Sequence, residues 1–208
     1  MFEEVLSEEA IAAAEELSPL LADFYLAGGT GLALQLGHRK SVDFDFFSRE
    51  LFQSDILLQK IRPDKILFAR EGTLHCEKRG VKLSFLFYET ALIYSPAVWR
   101  KIKVADWRDI IAEKFKAISQ RGSKKDFYDL YAAVILKMGI EEACLIFKKR
   151  FGSSDMNLYH VLKSLTFFDD AEGEPMPHLL MGGEKWEWKN IKIFFEENIY
   201  RFEKGLIG

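Results

Sequence analysis

Residues 24 to 47 constrain this chain more than any other stretch. Phe24 to Ala27 is an apolar run short enough for a buried strand. Gly28 and Gly29 permit a sharp reversal and a close backbone approach to a ligand. Thr30 is placed to cap a following helix, whose first N–H groups point at whatever lies beyond the turn. Leu32, Ala33, Leu34 and Leu36 make that helix apolar nearly all round, and Gly37 stops it. A second strand follows, with Asp43 and Asp45 on one face and Val42, Phe44 and Phe46 on the other.

Carboxylates at i and i+2 of a strand lie about 6.6 Å apart, a repulsion of roughly 2.5 kcal/mol at an effective dielectric near 20. Packing alone gives no reason to accept that cost. A divalent cation removes it, and Mg²⁺ is commonly held by one or two carboxylates together with substrate phosphates. Taken singly, a Gly-Gly turn is also ordinary loop geometry and an Asp-x-Asp strand also an ordinary solvated face. Twelve residues separate Thr30 from Asp43, and hydrophobes flank both acids. A phosphate-cradling turn followed by a metal-holding pair is what phosphoryl or nucleotidyl transfer needs.

With Gly28-Gly29-Thr30 followed by Asp43-Phe44-Asp45, the chain resembles the polymerase-β-like nucleotidyltransferase superfamily. The longer phrase from Leu26 to Phe47 is similar to the AbiEii/AbiGii toxin family within it. The resemblance implies a nucleotidyltransferase that is the toxin of a type IV toxin–antitoxin or phage-abortive system. It would use Mg²⁺ (or Mn²⁺) and a nucleoside triphosphate, with an RNA acceptor such as the 3′ end of tRNA and an antitoxin encoded nearby. Asp43 and Asp45 would hold the metal. Gly28, Gly29, Thr30, Arg39 and Ser41 would bind nucleotide. His38, Arg39 and Lys40 form a basic loop beside the aspartates, readable either as solvated or as a phosphate contact.

Further along, residues 51 to 61 carry a helical period that ends at Pro63-Asp64. Ile66 to Ala69, Thr73 to Glu77 and Val81 to Phe87 read as strands, the last two joined through Arg79-Gly80. Polymerase-β-like enzymes usually carry a third carboxylate in such a later strand, and the corresponding position here is Ser84. Serine is a poor Mg²⁺ ligand and a poor general base. Glu77 would substitute only if strand register turns it toward the aspartates. The alternative function is therefore a catalytically degenerate nucleotide- or RNA-binding module.

Lys101 to Ala105 reads as a last short strand or linker, after which the pattern is helical throughout. The expected fold is α+β: a polymerase-β-like nucleotidyltransferase domain with a mixed sheet over 1–104, then an all-α helical bundle over 105–208, with a substrate cleft between. Asp106 to Asp109 resembles a capping box ahead of a helix over 110–120. In the next helix Asp126 and Asp129 share a face and Lys125 lies one turn before Asp129. Read alone, this is a salt-bridged helix hairpin. Lys114, followed by Arg121, Lys125-Asp126 and Asp129-Leu130, looks like the family's C-terminal signature. That likeness implies Lys114 as a phosphate contact, Asp126 as an acid or anchor, and Arg121 and Lys125 as further nucleotide-binding cations. Helices are expected over 140–151, 155–168 and 186–204, with an acidic loop from Asp169.

A net charge of −3 argues against a general nucleic-acid-coating protein, without excluding a local basic patch for one structured RNA. The acidic N-terminus and the lack of a stretch of about 20 apolar residues point to a cytoplasmic protein without a membrane anchor. Cys76 and Cys144, far apart and without metal-ligand spacing, read as free thiols.

Overall fold

The computed structural model describes residues 1–152 and 154–208 and divides into two compact units, Met1–Asp106 and Trp107–Gly208. The first unit is built on a mixed sheet of seven strands: β1 (Tyr25–Ala27), β2 (Phe44–Ser48), β3 (Lys65–Arg70), β4 (Thr73–Lys78), β5 (Val81–Phe87), β6 (Ala97–Trp99) and β7 (Ile102–Val104). Their spatial order is β3-β4-β5-β2-β1-β7-β6. β2 sits at the centre, antiparallel to β1 and parallel to β5.

Three helices accompany the sheet: α1 (Glu8–Leu17), α2 (Gly28–Leu36) and α3 (Ser54–Ile61). Ser7 caps α1 by accepting the Ala10 N–H at 3.2 Å. The core lies on one sheet face, where Phe44, Phe46, Leu83, Phe85, Leu74 and Cys76 meet Ala13, Leu17, Leu57 and Ile61 of α1 and α3. Period-2 alternation therefore sends Asp45, Ser84 and His75 to the opposite face. Burial raises the Cys76 thiol to about 11 and the Cys144 thiol to about 12, so both remain protonated at neutral pH.

The Arg79-Gly80 turn forms with both residues at positive φ, 53° and 74°, the requirement of a type I′ hairpin. α3 is shorter than its hydrophobic period: Leu51 to Gln53 lie outside it, and Arg62 ends it in the left-handed conformation ahead of Pro63. β6 is absent from the sequence reading. It is three residues long, and Val98 is exposed, so it offers no hydrophobic run.

The second unit contains α4 (Trp107–Arg121), α5 (Lys124–Leu136), α6 (Ile140–Phe151), α7 (Leu158–Ser164), α8 (Asp169–Glu172), α9 (Trp188–Glu197) and α10 (Ile199–Leu206). The expected acidic loop contains α8. The expected final helix is two helices, broken where the Asn198 side chain donates to the Phe194 carbonyl at 2.9 Å and competes with the helical ladder. Asp109 does not serve as a solvent-facing capping acid. It is buried and paired with Arg150 near the end of α6, which is buried as well. Among the described residues no helix is long and apolar enough to cross a membrane.

Candidate active site

α2 begins directly at Gly28, whose φ of +60° turns the chain out of β1 and into the helix. A side chain is excluded at both glycines. A Cβ on Gly28 would lie 2.4 Å from Asp45 Oδ2, and one on Gly29 would lie 2.3 Å from an Arg39 guanidinium nitrogen. The glycine pair thus lets a carboxylate and a guanidinium approach the first turn of α2. Asp45 brings negative charge to the positive end of the helix, the favourable sign. Arg39 is 4% exposed and donates to the Lys40 carbonyl at 3.0 Å.

The basic loop is not solvated: His38 and Arg39 are both buried, and Lys40 donates to the Glu4 carbonyl. Thr30 lies inside α2 rather than at its N-cap. It is 1% exposed, and its hydroxyl bonds Ser41 Oγ at 2.6 Å and the Asp43 carbonyl. Thr30 and Ser41 therefore fix the chain entering β2, and their hydroxyls are occupied with each other. Ser41 is further tied by its N–H to the Val5 carbonyl at 2.9 Å.

Asp43 precedes β2 by one residue, and both aspartates are half-buried. Phe44 and Phe46 point into the core as the alternation requires, whereas Val42, ahead of the strand, is 63% exposed. Asp45 pairs with Ala27 on β1 and with Ser84 on β5. Ser84 in turn pairs with His75 on β4, and His75 Nδ1 lies 3.2 Å from Ser84 Oγ. Asp45, Ser84 and His75 thus form a row across three adjacent strands.

Register does turn Glu77 to the same face, but between Lys65 of β3 and Lys82 of β5. It stands two strand spacings, about 10 Å, from β2. Among the described residues no three His, Cys, Asp or Glu side chains come close enough to hold a metal together. Asp43 and Asp45 nonetheless suit Mg²⁺ by donor chemistry, as a hard-oxygen pair whose coordination is completed by phosphate oxygens and water. Beyond Asp45 the same face carries Phe47, stacked on Tyr25 at 5.9 Å and met edge-on by Tyr88 at 5.8 Å.

Gly28→Ala is expected to impair any activity that depends on Asp45. The substitution forces the carboxylate aside and adds about 1–2 kcal/mol of left-handed backbone strain. Comparing activity and melting temperature of the variant with those of the wild type checks this. Unchanged activity would detach Gly28 from the site.

In the helical unit Lys114 is 5% exposed, its ammonium held 2.7 Å from Asp126 Oδ1 and 2.7 Å from Asp129 Oδ2. Arg121 Nε reaches Asp126 Oδ2 at 2.9 Å, and the Ser123 hydroxyl donates to the same oxygen at 3.0 Å. Burial is the largest single influence on the Asp126 carboxyl and would raise it. The Lys114 charge and the Arg121 hydrogen bond and charge together outweigh that, leaving it below the ordinary 3.8. Asp129 meets Lys114, on α4, whereas Lys125 is exposed. The sequence reading placed Lys114 against phosphate, but here its ammonium is spent on clasping α4 to α5. Arg121 and Lys125 are the exposed cations of this segment.

The sheet topology, the glycine-started helix and the aspartate pair define a nucleotidyltransferase fold. A crystal structure from H. pylori described as a candidate nucleotidyltransferase superposes with a TM-score of 0.51, at 16% identity, over 95% of this chain and 94% of that one. The crystal structure of JHP933 from Helicobacter pylori gives 0.48 at 18% identity, over 96% and 95% of the chains. The profile described as nucleotidyl transferase AbiEii toxin of type IV toxin–antitoxin systems matches residues 10–65. An uncharacterized protein of Aquifex aeolicus (strain VF5) is 34% identical over 189 residues, covering 86% of this chain and 88% of that one. The chain belongs to the AbiEii family of nucleotidyltransferase toxins.

Sequence reasoning missed His75 as a neighbour of Ser84. The signal was present: a two-residue turn at Arg79-Gly80 fixes register, and counting outward pairs 78 with 81 and 75 with 84.

Proposed function

We propose that this protein transfers a nucleotide from a nucleoside triphosphate to an RNA acceptor, with tRNA as the acceptor class, as the toxin of a type IV toxin–antitoxin pair. The observation carrying the proposal is the meeting of Asp45 and Arg39 at the glycine-started first turn of α2. The first-turn N–H groups of Gly28, Gly29 and Thr30 are donors directed along the helix axis, the arrangement that receives an anionic phosphate, and the Arg39 guanidinium stands beside them.

Asp43 and Asp45 would hold Mg²⁺ or Mn²⁺, which when bound neutralises phosphate charge and polarises the α-phosphate. Arg39 orients the phosphates, and Thr30 and Ser41 keep the segment leading to Asp43 in place. Within the helical unit, Lys114 and Asp126 hold together the helices that carry the exposed cations Arg121 and Lys125. The acceptor hydroxyl attacks the α-phosphorus and the bond to the β-phosphate oxygen breaks, so pyrophosphate leaves. A cognate antitoxin would limit the consequences in the cell.

The test incubates the protein with Mg²⁺ or Mn²⁺, each of the four α-labelled nucleoside triphosphates, and total tRNA. Label on RNA is expected with one or a few of the four. Nucleotide binding without any transfer would instead favour a degenerate nucleotide- or RNA-binding module, the reading that Ser84 in the third-acid position suggests.

A further inference from the structure

We propose that Ser84 and His75 together replace the missing third carboxylate, with Ser84 taking the proton of the acceptor hydroxyl and His75 receiving it in turn. The inference rests on the transfer reaction proposed above and deepens it. Three observations carry it. Ser84 is the β5 residue in register with Asp45, so its hydroxyl emerges one strand, about 4.8 Å, from the β2 backbone. His75 Nδ1 lies within hydrogen-bond distance of Ser84 Oγ, at 3.2 Å. Neither side chain is closed off in the core, since both are half-buried and lie on the face away from it.

A serine alone is too weak a base for a ribose hydroxyl, but a serine backed by an imidazole is not. With His75 as its Nε2–H tautomer, Nδ1 accepts the Ser84 O–H. As the acceptor O–H approaches, its proton passes to Ser84 Oγ while the Ser84 proton passes to His75 Nδ1. The freed acceptor oxygen forms its bond to the α-phosphorus as pyrophosphate leaves, and the imidazolium later returns its proton to water. Serine ends as it began. Phe68 of β3 packs beside the imidazole at 6.2 Å and pairs with His75 across the strands, which holds the ring in its row. The charged groups around it are Glu77 on its own strand, Lys65 and Arg70 on β3, Lys82 on β5 and Asp45 on β2.

The experiment compares wild type, His75→Gln, Ser84→Ala, Ser84→Asp/His75→Gln and Asp43→Asn/Asp45→Asn in the labelled-transfer assay across pH 5 to 9. Nucleotide affinity is measured in parallel by calorimetry. His75→Gln should lower kcat by about 10²-fold, leave nucleotide affinity unchanged and remove the acid limb of the pH–rate profile. Ser84→Ala should act alike, and Ser84→Asp should restore the rate in the His75→Gln background. In the unliganded protein, Ser84→Ala should also shift the His75 ring-nitrogen NMR resonances. If His75→Gln keeps both its kcat and its acid limb while the double asparagine variant is dead, the proton route is overturned and the transfer reaction stands. If the wild type transfers no nucleotide, the transfer reading fails and this inference falls with it.

Discussion

Replacing Asp43 and Asp45 together by asparagine is expected to cut nucleotidyl transfer by a factor on the order of 10³ or more, while the melting temperature changes little. The two effects part because the charges are necessary to the chemistry, whereas in the fold their mutual repulsion offsets the attraction of Asp45 to the first turn of α2. Two carboxylates at i and i+2, half-buried beside Phe44 and Phe46, repel each other, and asparagine relieves that repulsion without changing side-chain volume. Asparagine brings neutral amide oxygens in place of charged ones, and Mg²⁺ sheds water for such ligands reluctantly. A parallel drop in rate and melting temperature would mean that the aspartates are structural. Most of the loss is expected already in Asp45→Asn, because Asp45 is the carboxylate that meets the first turn of α2.

The second large effect belongs to the helical unit. Asp126→Asn is expected to destabilise it by about 3 kcal/mol, at the lower end of what breaking a buried ion pair costs. Asp126 is fully buried and receives Lys114, Arg121 and the Ser123 hydroxyl. Asparagine keeps the size but loses the charge, so the buried Lys114 ammonium keeps Asp129 and loses the Asp126 carboxylate. Arg121 is 66% exposed, and water screens its share of the loss. The same group sets an acid limit. Its folded pKa lies below the unfolded value, so its contribution is complete above an unfolded pKa near 3.9 and is lost as pH falls through the folded value. Wild-type melting temperature should therefore fall below about pH 4, more steeply than that of Asp126→Asn. Superimposable acid profiles would remove Asp126 from the account.

Much of the sheet was legible because it follows period-2 rules. Phe44-Asp45-Phe46 alternates cleanly, and the Arg79-Gly80 turn sets the register that places Ser84 on the same face as His75 and Asp45. Residues whose roles depend on distant partners were not legible. Thr30 has the look of a cap, yet its hydroxyl is taken by Ser41 and the Asp43 carbonyl, groups that arrive only when β2 returns beside α2. Arg39 looks like a loop cation in sequence, and nothing local announces that Gly29 makes room for its guanidinium. Lys114 carries a motif that predicts phosphate, while its ammonium is met by Asp126 and Asp129, 12 and 15 residues further on, once α4 and α5 pair. Short-range periodicity decides which face a side chain takes. The partner it meets there is decided by tertiary packing.

The central claim is that the Asp43/Asp45 face is the metal and nucleotide site. Paramagnetic broadening by Mn²⁺ tests it most directly, read on the backbone amides of the full chain with a non-hydrolysable nucleoside triphosphate. The account predicts that Mn²⁺ selectively erases the amide signals of Gly28, Gly29, Asp45 and Ser84, and that Asp43→Asn/Asp45→Asn restores them. Broadening centred elsewhere, or unchanged in the double variant, would contradict it.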